Sequence, residues 1–365
     1  WPRWRGARRR AEARAPGRSP CADNAKLSAT TVGPHAMTTP PYPATAARRR
    51  EPVIGLALGS GSARGWAHFG VLRALTRCGI RPGVVCGASI GALVGAAHVL
   101  GMGDRFEHWV LGLSRRDVMS FMDFSSGGGL LKGEKLMRFF RSQFTDRDFE
   151  SLQTPFAAVA TALHTGEEVW LREGSVVEAV RASIALPGLF TPVWHGGRLL
   201  VDGGLVNPVP VSLARALGAD IVIAVDLNAD LLGRHLRHGL PEVSPPPAAE
   251  PSIGWLQNLQ RNLGWRKDEA AVAAAAAAPP PIPSVLEVMT SGIQIMQVRI
   301  TRSRMSGDPP EFTIAPRLSQ LSLLDFHRAQ EAIAAGEQAA QESVGLLREL
   351  GLCPPAADAP PAGPA

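Results

Sequence analysis

No stretch of this 365-residue chain approaches the roughly 20 consecutive apolar residues that a bilayer-spanning helix needs. The N-terminal region also lacks the apolar core of a secretory signal. Cysteine is scarce. Cys21, Cys78, Cys86 and Cys353 lie far apart with no metal-ligand spacing, which argues against a cysteine-built metal centre and points to a reducing compartment. There is no internal repeat. A net positive charge is missing from most of the chain despite a formal net charge of +6: residues 1–50 hold 11 Lys+Arg and 2 Asp+Glu, whereas the rest hold 27 and 30. A basic tail on a near-neutral body is a weak case for nucleic-acid binding, and no such partner is expected. The tail, residues 1–51, reads as disordered, with Met37 as the expected natural start; a basic membrane-surface arm is the rival reading.

Past the tail, strand and helix signals alternate. "VIGLAL" (53–58) is a buried-strand run, "GSGSARG" (59–65) a loop, and "WAHFGVLRALTRCG" a helix ending at Gly79. "VVCG" is a second strand, and Ile90–Leu100 a second helix. Further strands are expected at 156–163, 167–172, 198–201 and 220–226, with helices at 104–113, 133–144, 175–184 and 209–217. This rhythm predicts an α/β fold with a mainly parallel sheet. Residues 229–283 read as a low-complexity insertion whose Pro/Ala runs bury too little to order themselves, with a short amphipathic helix at Ile253–Trp265. Residues 284–352 are expected to complete the same domain. There Val285, Met289, Ile293, Met296 and Ile300 form a stripe read as core, "EFTIAP" a late strand, and Leu323–Leu350 a closing helix. Residues 353–365 read as a disordered tail.

The chemistry concentrates at Gly87-Ala88-Ser89-Ile90-Gly91. A G-x-S-x-G between strand and helix is the pattern of a nucleophile elbow: Gly87 and Gly91 relieve clashes in a sharp reversal, and Ser89 projects over the strand ends beside a helix N-terminus. Alone, the pentapeptide fits a plain tight turn as well. The loop Gly59, Ser60, Gly61, Ser62, Arg64, Gly65 also follows a strand. Its G-x-G-x-x-x-G spacing is one residue too long for a dinucleotide fingerprint, and it lacks the G-K-[ST] of a phosphate loop. An oxyanion hole needs only amides aimed at a developing alkoxide, which this loop can supply. Arg64 reads either as fixing the loop or attracting a phosphate, or as an ordinary helix-start arginine.

A reactive serine needs a base. His235 and His238 lie in the low-complexity stretch, His327 on a polar helix face, and His68, His98 and His108 on helices. His164 and His195 are weak candidates near strand ends. Asp202 is the better one: it ends the short strand in "RLLVDGGLVNPVPV" and precedes Gly203 and Gly204. A carboxylate there can take a serine proton directly, and the competing reading is an Asx turn. Asp226, after "IVIAV", is a second strand-end carboxylate and serves as the control.

In order, the Gly-rich loop with Arg-Gly, the G-x-S-x-G elbow and the Asp-Gly-Gly closely resemble the patatin-like phospholipase family. "ASIALPGLFTPV" (182–193), "GGLLKGEKL" and "VNPVPV" fit the bacterial members as well. The resemblance covers Pro52 to Asn228, the expected catalytic core, and extends to the helix from Pro283 to Asp308. It implies a three-layer patatin-like sandwich with helices on both faces of the sheet. It also implies a Ser–Asp dyad of Ser89 and Asp202 with oxyanion donors from Gly59–Gly65. The family's loop is an unbroken glycine run, here interrupted by Ser60 and Ser62. The implied activity is hydrolysis of lipid acyl esters, phospholipids or lysophospholipids, through an acyl-enzyme and without metal or organic cofactor. An acyltransferase with the same dyad and a low-turnover lipid-binding regulator are the alternatives. The expected location is cytoplasmic with peripheral membrane contact, and Ile253–Trp265 is a candidate lipid-facing helix.

Overall fold

In the computed structural model, residues 50–121, 146–231 and 285–353 are described. Met37, the 133–144 helix, the segment "GGLLKGEKL", Ile253–Trp265, His235, His238 and nearly all of both tails and of the 229–283 insertion lie outside them.

The first β–α unit follows the sequence pattern. β1 (Ile54–Leu58) leads through a short 3-10 turn (Ser62–Trp66) into α1 (Ala67–Arg77). The second unit is β2 (Val84–Ala88) and α2 (Ile90–Val99), followed by α3 (Gly103–Leu111) and α4 (Arg115–Phe121). Next come β3 (Phe156–Ala162), β4 (Glu168–Leu171), α5 (Val176–Ser183), β5 (Val193–His195) and β6 (Arg198–Asp202). The chain closes with α6 (Val211–Ala216), β7 (Ile221–Val225), α7 (Val285–Gly307), β8 (Phe312–Ile314) and α8 (Ala329–Glu349). The expected closing helix begins six residues late, because Phe326–Arg328 form a 3-10 turn before it. The sequence pattern did not reveal α4 or β5.

The sheet is mixed and mostly parallel. Hydrogen-bonded neighbours run β5–β6–β3–β2–β1–β7–β8, with β4 also on β3. The β3–β2, β2–β1, β1–β7 and β7–β8 pairs are parallel, and the β3–β4, β3–β6 and β5–β6 pairs antiparallel. Alternate residues of each strand point to opposite faces. Leu56, Leu58, Val85, Ile223 and Val225 therefore pack under α1, α2, α3, α5 and α8. Ala57, Cys86, Val222 and Ala224 pack against α6. Both faces are covered, which makes three layers.

The register at β3 decides where the site forms. Ala158 and Val159 pair with both β2 and β4, and Ala160 and Thr161 with both β4 and β6. A strand has only two edges, so β2 and β6 share the edge opposite β4. They meet there end to end, with Ala88 beside Val159 and Asp202 beside Ala160. β2 runs with β3 and β6 against it, so their C-terminal ends face each other.

The expected core stripe on α7 is corrected by the structure. Ile293 is buried, but Met289 and Met296 are 48% and 53% exposed. The helix is anchored instead through Ile293, Gln297, Val298 and Thr301. Its apolar positions are not confined to one side, and only one face meets Leu186, Leu189 and the Gly203–Leu205 turn.

α1 and α8 cross in backbone contact. A Cβ on Gly70 would collide with the Ile333 carbonyl, and one on Gly336 with the Ala67 carbonyl. Gly345, on the same helix α8, has open space around it. Gly336→Val is expected to destabilise by about 1–3 kcal/mol or more through overpacking. Gly345→Ala should stabilise by about 1 kcal/mol through helix propensity. Urea unfolding midpoints of the two variants should move in opposite directions.

Candidate active site

The chain reverses at Ser89, between β2 and α2, with φ 58° and ψ −125°. Ser62 (φ 52°) is the other non-glycine residue at positive φ among the described residues. Left-handed backbone costs a side-chain-bearing residue about 1–3 kcal/mol and persists only where its surroundings hold it. The holding contacts are visible. A Cβ on Gly87 would collide with the backbone of Gly91 and Ala92, and one on Gly91 with the Leu58 carbonyl. The buried amide of Ser89 donates to Ser183 Oγ at 2.9 Å, and Ser183 Oγ donates to the Val159 carbonyl at 2.6 Å. Ser183 thus ties the turn to β3.

Ser89 Oγ donates to Asp202 Oδ2 at 2.5 Å. Asp202 is fully buried. Its Oδ1 accepts from the Gly204 amide at 2.7 Å, and its own carbonyl accepts from Thr161 Oγ1 at 2.8 Å. The Asx turn weighed against a catalytic role is therefore present as well, made by one carboxylate oxygen while the other faces the serine. Burial pushes the Asp202 pKa up to about 7, against the opposing pull of the Ser89 and Gly204 hydrogen bonds. Gly203 lets this turn lie flat on β3, since a Cβ there would strike the Val159 carbonyl.

The Gly59–Gly65 loop sits directly beside the elbow. A Cβ on Gly65 would collide with the Ile90 side chain. The loop's amides are not equivalent. Gly59 N donates to Val225 O, Ser60 N to Pro208 O and Arg64 N to Gly61 O. The amides of Gly61 and Ser62 have no backbone acceptor among the described residues. Ser62 Oγ and Ala63 N both donate to the Leu323 carbonyl, and Asn228 Nδ2 donates to Ser60 O. Arg64 is fully buried, its Nε donating to Gly61 O, so it holds the loop's shape from within. His68 does the same from α1. Its Nε2 donates to the Gly59 carbonyl at 2.8 Å, and burial lowers its pKa to about 4, leaving the ring neutral.

The other candidates fall elsewhere. Asp226 closes its own turn, accepting from the Asn228 amide, and makes no hydrogen bond to Ser89. His327 accepts from Arg115 Nε. His98 borders a small apolar cavity with Leu56, Leu72 and Ile223. No described histidine hydrogen-bonds Ser89 or Asp202, and no cluster of metal-ligand side chains occurs among the described residues. Sequence reasoning missed the roles of Ser183, His68 and the Leu323 carbonyl. Only Ser183 left a trace, inside the Ala-Ser-x-Ala-x-Pro segment.

Ser183→Ala would leave the buried Ser89 amide without an acceptor. Such a loss costs about 1–3 kcal/mol. The variant should therefore unfold at lower denaturant concentration and hydrolyse esters more slowly, as equilibrium unfolding and steady-state assays would show.

Known proteins place these features in context. The family model for patatin-like phospholipase matches residues 56–215. An uncharacterized NTE family protein of Mycobacterium tuberculosis is 34% identical over 353 residues, covering 83% of this chain and 95% of its own. Patatin-like phospholipase domain-containing protein 7 of Mus musculus is 33% identical over 184 residues, 48% of this chain and 14% of its own. Among solved structures, VipD from Legionella pneumophila superposes with a TM-score of 0.44 at 13% identity, over 81% of this chain and 67% of its own. With a strained serine elbow, a buried carboxylate against it and a relative alike over nearly its whole length, the chain belongs to the NTE family of patatin-like phospholipases.

Proposed function

We propose that this protein hydrolyses lipid acyl esters through Ser89 and Asp202, by an acyl-enzyme route. The observation that carries the reading is the 2.5 Å hydrogen bond from Ser89 Oγ to the buried Asp202 carboxylate, on a backbone strained to present that hydroxyl. Family membership supports lipid hydrolysis in general terms.

In the proposed reaction, ionised Asp202 takes the Ser89 proton as Oγ attacks the ester carbonyl. The amides of Gly61 and Ser62 are the loop donors still able to receive the oxyanion, since Gly59 and Ser60 are committed to Val225 and Pro208. Asp202 then gives its proton to the departing alcohol oxygen, and the acyl group stays on Ser89. Water, deprotonated by Asp202, attacks the acyl carbonyl; free fatty acid leaves and Oγ regains a proton. The Gly204 amide on Oδ1 keeps the carboxylate oriented so that Oδ2 faces the serine throughout. Substrates are phospholipids or lysophospholipids, and the protein meets them by peripheral contact with the lipid surface.

Ser89→Ala should abolish p-nitrophenyl ester hydrolysis and fluorophosphonate labelling while the fold persists. Asp202→Asn should lower kcat by about 100- to 10,000-fold, and His327→Ala should stay near wild type. A histidine variant as inactive as Ser89→Ala would replace the dyad with a triad.

The raised Asp202 pKa sets two pH dependences of opposite sense. The base must be ionised, so kcat/KM should rise with pH and level off above about 7. Stability should move the other way. The folded state holds its proton where the unfolded chain has lost it, so stability falls as pH rises from the usual aspartate range towards about 7. Asp202→Asn should therefore melt higher than wild type at pH values above about 7, and scanning calorimetry across pH would show whether it does.

A further inference from the structure

The α7 helix has two unlike faces, and the function proposed above uses neither. Its inner face meets the site. Ile293 packs on Leu186 and Leu189, and Gln297 Nε2 lies 2.6 Å from where a Gly204 Cβ would stand. Its outer face is apolar yet open: Val288 is 57% exposed and Ile295 55%, with Met289 and Met296 alongside. Val288, Ile295, Arg299, Arg302 and Ser306 are separated by seven, four, three and four residues, so they line one side of the helix. Along that line the character changes from aliphatic to basic, since Arg299 and Arg302 are both exposed.

We infer that this outer face of α7 docks on an anionic phospholipid surface and brings the site beside Gly204 to its substrate. The inference rests on the lipid-hydrolase reading. The match is one of chemistry. Unbranched Met and branched Val and Ile side chains enter the acyl boundary, while guanidinium groups one to two turns further on pair with lipid phosphates. A membrane lying on this face stands about one helix diameter, roughly 10 Å, from the Asp202 turn that the inner face touches. Self-association suits the face poorly. Antiparallel pairing of two copies would lay each copy's arginines over the other's Val288 and Met289, removing four cations from water against apolar surfaces.

The test is co-sedimentation of full-length protein with vesicles of equal parts phosphatidylcholine and phosphatidylglycerol. A Ser89→Ala background keeps the lipid intact. Ile295→Asp/Met296→Asp should lower partitioning at least tenfold. Arg299→Glu/Arg302→Glu should lower it by a similar factor on these vesicles but little on pure phosphatidylcholine. The arginine pair, at exposed positions, still decides the matter if the aspartate pair misfolds. Equal partitioning by every variant overturns the inference, as does a parent protein that binds no vesicle. So does a parent dimer that the aspartate pair converts to monomer, because the face would then be a self-interface. Soluble-ester turnover by the Ser89-containing protein is measured separately. Its absence would defeat the hydrolase reading and leave the binding result standing.

Discussion

The site depends on one hydrogen bond, from Ser89 to a carboxylate fully out of water. Bringing Asp202 inside disfavours its charge; the serine hydroxyl and the Gly204 amide oppose that, and abutting strand ends bring Ser89 and Asp202 together. β2 and β6 share one edge of β3 and stop at consecutive residues of it. Neither the elbow nor the Asp-Gly-Gly turn makes this meeting alone; β3 sets it. Ser183 and Thr161 then fasten the two ends to β3 and to each other's surroundings.

The Gly-rich loop is held from several sides because its conformation is not intrinsically favoured. Ser62 sits at positive φ, and its hydroxyl is fastened to Leu323, far along the chain. Arg64 and His68, both fully buried, donate to the loop's carbonyls from beneath. The amides of Gly61 and Ser62 have no backbone acceptor among the described residues. A serine is accommodated where glycine is the easier residue because its side chain supplies a bond that helps hold the turn.

The close approach of α1 and α8 gives this arrangement its rigidity. Glycines at the crossing let the two backbones touch, and Arg73 ties α1 to Glu107 of α3 and Glu337 of α8. α1 carries His68, and α8 follows the segment that carries the Leu323 carbonyl, so the packing of these helices bears directly on the loop. α7 meets the Asp202 turn with its inner face, and Val288, Met289, Ile295 and Met296 stay exposed.

Much of this was legible in the residues. Continuous apolar runs bounded by glycine marked β1, β2, β3 and β7, because strands buried on both faces admit little else. Ser89 and Asp202 stood out by position, each at a strand end beside glycines. Local sequence could rank the strand-end aspartates but not show how one of them reaches the serine. The Gly203-Gly204 after Asp202 favoured it over Asp226, which Leu227 and Asn228 follow, but the contact with Ser89 is made by β6 reversing direction to abut β2 on β3. It could not say which apolar positions of α7 were covered, because periodicity does not show what packs against a helix. Nor could it reveal Ser183 or Leu323, whose partners lie 94 and 261 residues away in the chain. Strand and turn identity follow from short-range sterics and burial, which the sequence determines; the pairing of a buried carboxylate with one serine depends on strand direction and register, and those only the tertiary structure decided.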